Sequence, residues 1–114
     1  MRAIDRLYKK DKSITRSVHI DDDLYKEVQY LSKNVFDSSV SKIINVCIEN
    51  NLLKDIDIAF YKKPQNTESI YRSIILRKSF YDKLIEMKNK TGISFSRLIN
   101  GCIKDFLEDY KDEL

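Results

Sequence analysis

The chain contains itself twice. Ser13-Ile14-Thr15-Arg16-Ser17-Val18 returns 56 positions later as Ser69-Ile70-Tyr71-Arg72-Ser73-Ile74. Ser39-Val40-Ser41-Lys42-Ile43-Ile44-Asn45-Val46-Cys47-Ile48 returns 55 positions later as Ser94-Phe95-Ser96-Arg97-Leu98-Ile99-Asn100-Gly101-Cys102-Ile103. Over residues 39–52 and 94–107, seven of fourteen positions are identical: Ser39, Ser41, Ile44, Asn45, Cys47, Ile48 and Leu52 each meet a twin. The offset changes once, so one residue was gained or lost in a turn. Leu7-Tyr8-Lys9-Lys10 and Phe60-Tyr61-Lys62-Lys63 lead into the two units in similar form. A repeat of this length marks a small unit that buries its apolar face only against a neighbour.

Both units read as strand, helix, helix. Ile14, Arg16, Val18 and Ile20 alternate with Thr15, Ser17 and His19, which is strand period. Asp21, Asp22 and Asp23 should end the strand and charge the first turn of a helix as its dipole prefers. Leu24, Val28 and Leu31 form one stripe on that helix, and residues 34–37 make a turn. Ser38 or Ser39 suits the N-cap of a second helix, whose apolar face is Val40, Ile43, Ile44, Cys47, Ile48 and Leu52. In the second unit the strand is 70–76, with Ser79 the expected cap. Phe80, Leu84 and Met87 form the first stripe, Lys90-Thr91-Gly92 the turn, and Phe95, Leu98, Ile99, Cys102, Ile103 and Phe106 the second. The expected fold is mainly α with one short two-stranded antiparallel β-ribbon, built from duplicated β-α-α units. It is expected as one domain over 1–114: a basic arm 1–12, repeat one 13–53, linker 54–68 and repeat two 69–110. The fifteen linker residues span up to about 50 Å when extended. Part of the linker, where Ile56, Ile58 and Phe60 alternate with polar residues, is expected to pack as an extended segment.

Composition removes several function classes. Two Gly and one Pro make a turn-rich sandwich or a Gly-rich phosphate loop unexpected. One His and two Cys cannot complete a four-ligand zinc site, and no nucleophile–base set forms around His19, so no metal, cofactor or enzyme activity is expected. Cys47 and Cys102 read as small core residues of a reducing, cytoplasmic protein. No apolar run approaches membrane-spanning length. The final Lys111-Asp112-Glu113-Leu114 matches a luminal retention signal, a coincidence within an acidic tail. Net charge is only +3, but residues 1–19 carry six basic against two acidic side chains, and 104–114 two against five. A basic head suggests an anionic partner, although solvated termini explain the same charges.

One unit alone leaves strand edges and helix stripes open, and two copies close both. With its polar-alternating strand, acidic or Ser-rich helix start, stripe helix and S-x-S-[KR] second helix, the chain resembles the ribbon–helix–helix superfamily of Arc, MetJ and CopG types. The resemblance covers residues 13–53 and 69–108 and implies a dimer fused into one polypeptide, as in TraY-type relaxosome proteins.

That resemblance implies a non-enzymatic protein that inserts its ribbon into the major groove of double-stranded DNA. Base contacts would come from Thr15, Ser17, His19, Tyr71, Ser73 and Ile75, the side chains pointing away from the helices. Hydroxyls and imidazole can bond base edges, and Ile can pack on a thymine methyl. Many family members carry Arg or Lys at those positions, and this chain carries neither. Arg16 and Arg72, one residue out of phase, are assigned to flanking phosphates. The second-helix N-termini, Ser39, Val40 and Lys42 with Ser41, and Ser94, Phe95 and Arg97 with Ser96, would grip phosphates as well as cap the helix. Lys9, Lys10, Lys62 and Lys63 would add contacts without sequence preference. The function implied is transcriptional repression; the alternatives are ParR-type plasmid partition, a TraY-type relaxosome adaptor, or an antitoxin-like interaction module. One ribbon makes few base contacts, so self-association on adjacent subsites is expected, and the acidic C-terminal tail is the expected surface for any protein partner.

Overall fold

A computed structural model of the protein describes residues 12–53 and 68–113. In chain order the elements are β1 (Ser13–Asp21), α1 (Asp22–Asn34), α2 (Val40–Leu53), β2 (Ser69–Arg77), α3 (Lys78–Thr91) and α4 (Phe95–Glu113). The protein is mainly α, with β1 and β2 as one two-stranded antiparallel ribbon and the β-α-α arrangement present twice.

Register makes the duplication a symmetry. Ser17 lies opposite Ser73, Val18 opposite Arg72 and His19 opposite Tyr71. Since Ser17 and Ser73 are also the repeat equivalents, a pseudo-two-fold axis passes through that pair. Val18, Ile20, Ile74 and Leu76 point inward and are essentially inaccessible to water. They meet Val28 and Leu31 of α1, Leu84 of α3, Ile43, Ile44, Cys47 and Ile48 of α2, and Leu98, Ile99, Cys102, Ile103 and Leu107 of α4 in a single core. Each buried aliphatic side chain contributes about 1.5–3 kcal/mol, so the shared core is what neither unit supplies alone. Both expected strands gain one residue at each end.

The first helix of each unit starts without a side-chain cap, which corrects the assignment of Ser79. Ser79 is the second residue of α3, and the N-cap positions are Asp21 and Arg77, neither making a side-chain cap hydrogen bond. The strand runs straight into the helix, and the cap is backbone from across the ribbon. The Asp22 N–H donates to the Glu68 carbonyl (2.8 Å) and the Lys78 N–H to the Lys12 carbonyl (2.7 Å). A helix needs its first N–H groups satisfied, and a neighbouring strand carbonyl serves as well as a hydroxyl. The second helices follow the sequence expectation. Ser39 Oγ accepts from the Lys42 N–H (3.2 Å), and Ser94 Oγ from the Arg97 N–H (3.3 Å).

The offset change falls in the helix–helix turn. Five residues separate α1 from α2, with Asp37 at φ 48°, whereas three separate α3 from α4. Gly92, at φ 75°, permits the tighter turn because it carries no Cβ to clash in the left-handed region. α4 also runs beyond the expected repeat, into the acidic tail. Lys111 Nζ lies 3.1 Å from Glu27 Oε1, Tyr110 meets Phe36 edge-on at 5.9 Å, and Asn50 Nδ2 donates to Asp109 Oδ2 at 3.2 Å.

Candidate nucleic-acid interface

Thr15, Ser17, His19, Tyr71, Ser73 and Ile75 form one exposed row on the ribbon face opposite the helices. Ile75, which breaks alternation in Ile74-Ile75-Leu76, is 52% exposed between two buried neighbours, so strand phase overrides its apolar character. The row sorts into cross-strand pairs: Thr15 with Ile75, Ser17 with Ser73, and His19 with Tyr71. The His19 and Tyr71 rings have centroids 4.5 Å apart, tilted by 54°. One end therefore offers methyl groups and a hydroxyl, the middle two hydroxyls, and the other end an imidazole and a phenol. No exposed carboxylate stands in the row; Asp21, which shares its register at the end of β1, is buried. Because β2 extends to Arg77, one arginine shares the register face of Ser73 and Ile75, its guanidinium 5.5 Å from the Phe80 ring. A strand ending at Leu76, as the sequence period suggests, leaves this arginine out of the row.

Polar side chains of the second helices bind one end of each ribbon edge. Asn45 Oδ1 accepts from the Arg77 N–H (3.0 Å), its Nδ2 donates to the Ile75 carbonyl (2.9 Å), and Ser41 Oγ accepts from the Ile75 N–H (3.0 Å). The second unit does the same to β1. Asn100 Oδ1 accepts from the Asp21 N–H (2.9 Å), its Nδ2 donates to the His19 carbonyl (2.9 Å), and Ser96 Oγ accepts from the His19 N–H (3.3 Å). Each second helix thus clamps the strand of the other β-α-α unit: α2 holds β2, and α4 holds β1. Unpaired edge groups invite further strands; here those of His19 and Ile75 and the N–H groups of Asp21 and Arg77 are occupied. The signal was available in sequence, as polar identities on otherwise apolar helices, but it named no partner.

The clamps bring the predicted helix N-termini to the ribbon. Ser39, Val40 and Lys42 stand beside the Ile75 end, and Ser94, Phe95 and Arg97 beside the His19 end. Lys42 and Arg97 are exposed, while Val40 and Phe95 pack partly against the core. Arg16 and Arg72 lie on the helix side of the ribbon. The Arg72 guanidinium sits 3.5 Å over the Tyr25 ring and 3.7 Å from Asp22, and its shielded Nε has no hydrogen-bond partner. Arg16 is more exposed, 5.0 Å from the Tyr81 ring, and bonds the Thr15 carbonyl. Lys9, Lys10, Lys62 and Lys63 lie outside the described residues, as do Ile56, Ile58 and Phe60.

Cys47 and Cys102 are buried. Burial raises both thiols, Cys102 to about 12, so neither is a thiolate near neutrality. Among the described residues no group of three or more His, Cys, Asp or Glu is placed to hold a metal ion, and no helix is long and apolar enough to cross a membrane.

Comparison with known families, curated proteins and solved structures finds no match. The geometry carries the functional reading.

Proposed function

We propose that the protein is a sequence-specific double-stranded DNA-binding protein of ribbon–helix–helix type, acting in the cytoplasm as a transcriptional repressor without enzymatic activity. The observation that carries this is the outward row of six exposed side chains, with no exposed carboxylate among them, on the ribbon face opposite the helices. The second helices clamp the strands at Ile75 and His19 and so hold the ribbon on the core with that face outward. The major groove, about 12 Å wide, admits a two-stranded ribbon. Thr15, Ser17, Ser73, Tyr71 and His19 offer hydrogen-bonding groups to base edges, and Ile75 a surface for a thymine methyl. The helix N-termini beside Ile75 and His19 would meet phosphates on either side of the groove, using unsatisfied N–H groups and the dipole, with Lys42 and Arg97 adding charge.

Binding to random duplex DNA across a salt series, followed by selection from a random duplex pool, tests the proposal. Affinity should fall steeply with salt, and one short motif should be enriched. A promoter carrying that motif should be silenced by the protein. Absence of binding at low salt overturns the reading and points to a protein-interaction module instead.

A further inference from the structure

The two ends of the ribbon are built alike and charged oppositely. At one end, Glu68 precedes β2, Asp21 ends β1 and Asp22 and Asp23 open α1; Glu68 and Asp23 are exposed, Asp22 is half-buried and Asp21 is buried. At the pseudo-symmetric end, 56 positions away in each case, stand Lys12, Arg77, Lys78 and Ser79. Their backbones are equivalent, each end carrying the same carbonyl cap. Even the local ion pair inverts: Asp22 holds Lys26 at 3.0 Å in α1, and Lys78 holds Asp82 at 2.9 Å in α3. Lys26 and Arg72 beside Asp22, and Asp82 beside Lys78, offset part of each end's charge, leaving Glu68 and Asp23 exposed at one end and Lys12 and Arg77 at the other. Helix stability explains only the acidic end, because cations at a helix N-terminus oppose its dipole.

The basic end has a second distinguishing feature. Beside it lies a groove lined by Phe36, Val46, Phe80, Phe106 and Arg77, with Glu49 as its one lining carboxylate and with Ser39, Lys42 and Ile75 where it meets the DNA-facing side of the ribbon. Phe36 and Val46 are 43% and 47% exposed. At the equivalent positions of the other half, Thr91, Gly101 and Asn51 replace the large apolar side chains of Phe36, Val46 and Phe106. The phosphate contact proposed above belongs to the Ser39 and Lys42 side of this groove, while its Phe36, Val46 and Phe106 side suits a protein surface. The acidic end supplies one: Ile70, 39% exposed, follows Ser69, whose hydroxyl donates to Asp21 Oδ1 (2.7 Å).

We propose that a second copy of this chain docks its acidic ribbon end against the basic, grooved end of the first. Unlike surfaces meet in such a contact, so it propagates head to tail instead of closing as a symmetric dimer. On DNA, which rests on the function proposed above, it sets successive chains in one orientation on direct repeats. The surface can also be tested without DNA, so the two readings fail separately.

Sedimentation of the full chain without DNA should show a mass growing with concentration at low salt and returning to one chain at high salt. Glu68→Lys with Asp23→Lys makes both ends basic; Lys12→Glu with Lys78→Glu makes both acidic. Neither variant should associate alone, and an equimolar mixture should. Circular dichroism confirms that both remain folded. On DNA, the second chain should bind a direct repeat about tenfold more tightly than an isolated subsite. An inverted repeat should show no such gain. A closed dimer, a single-chain mass at every low-salt concentration, unchanged association in either variant, or equal cooperativity on inverted repeats overturns the proposal. Loss of single-subsite binding with association intact overturns the DNA reading alone.

Discussion

Ser17 and Ser73 face each other on the pseudo-two-fold axis, exposed, one residue from the buried Val18 and Ile74. Replacing both with Ala should weaken binding to the selected DNA site by about 1–3 kcal/mol for each hydroxyl that bonds a base edge. Stability should change by no more than about 0.5 kcal/mol, as for other surface substitutions. Titration of specific and random duplexes beside a denaturation curve separates the two effects. Ile44 and Ile99 are the contrary case, both fully buried in the shared core. Each truncation to Ala should cost about 2–5 kcal/mol, and the pair together should leave no cooperative unfolding transition. The buried thiols make a pH prediction. Their folded values are raised by burial, so their stabilising effect is complete below the unfolded thiol pKa of about 8.5 and is lost as pH rises toward the folded values. Denaturation midpoints should therefore fall from pH 8 to pH 10, and Cys47→Ala with Cys102→Ala should flatten that fall. A thiol reagent at neutral pH should label wild-type protein only after unfolding.

At the scale of elements, helix faces and strand phase were legible because period is a local property. The alternation through Ile14, Arg16, Val18 and Ile20 predicts which side chains point inward, and the structure buries Val18 and Ile20 accordingly. What the pattern did not contain was the cross-strand cap. Ser79 matched the residue type of an N-cap, but the carbonyl of Lys12 already satisfies the first N–H of α3, so the hydroxyl is not needed there. The edge clamps were equally hidden. Asn100 is 4% exposed and its Oδ1 takes the N–H of the buried Asp21, whereas Asn45 binds Ile75 and Arg77 where water also reaches. Asn100→Ala should therefore cost about 1–3 kcal/mol, the penalty of an unsatisfied buried donor, and Asn45→Ala measurably less. Amide exchange at Asp21 should accelerate in the first variant, and at Ile75 and Arg77 in the second.

For the whole molecule, fusion of two units into one chain frees their outward faces to differ. A homodimeric ribbon repeats its side chains across the axis and so favours a palindrome, mirroring its two-fold symmetry. Here Thr15 and Ile75 occupy one end of the row and His19 and Tyr71 the other. The site under one chain should accordingly be asymmetric, a few base pairs long and read in one direction. Selection from random duplexes, with footprinting of a single bound chain, checks this. A palindromic core under one chain would show that the differing side chains do not read bases.

The sequence alone determined the repeat, the buried stripes and the phase of β1, the last two because they are written in spacings of a few residues. The phase of β2, where Ile74-Ile75-Leu76 lacks alternation, came from its match to β1. Pairing between elements was decided only in three dimensions. Asn100 reaches His19 across 81 positions and Asn45 reaches Ile75 across 30, and no local period encodes either contact. The opposed charges of the ribbon ends belong to the same class. Asp21 to Asp23 read as an ordinary helix start and Arg77-Lys78 as two surface cations. Only antiparallel pairing sets Glu68 beside the first and Lys12 beside the second, because it brings the start of each strand to the end of the other.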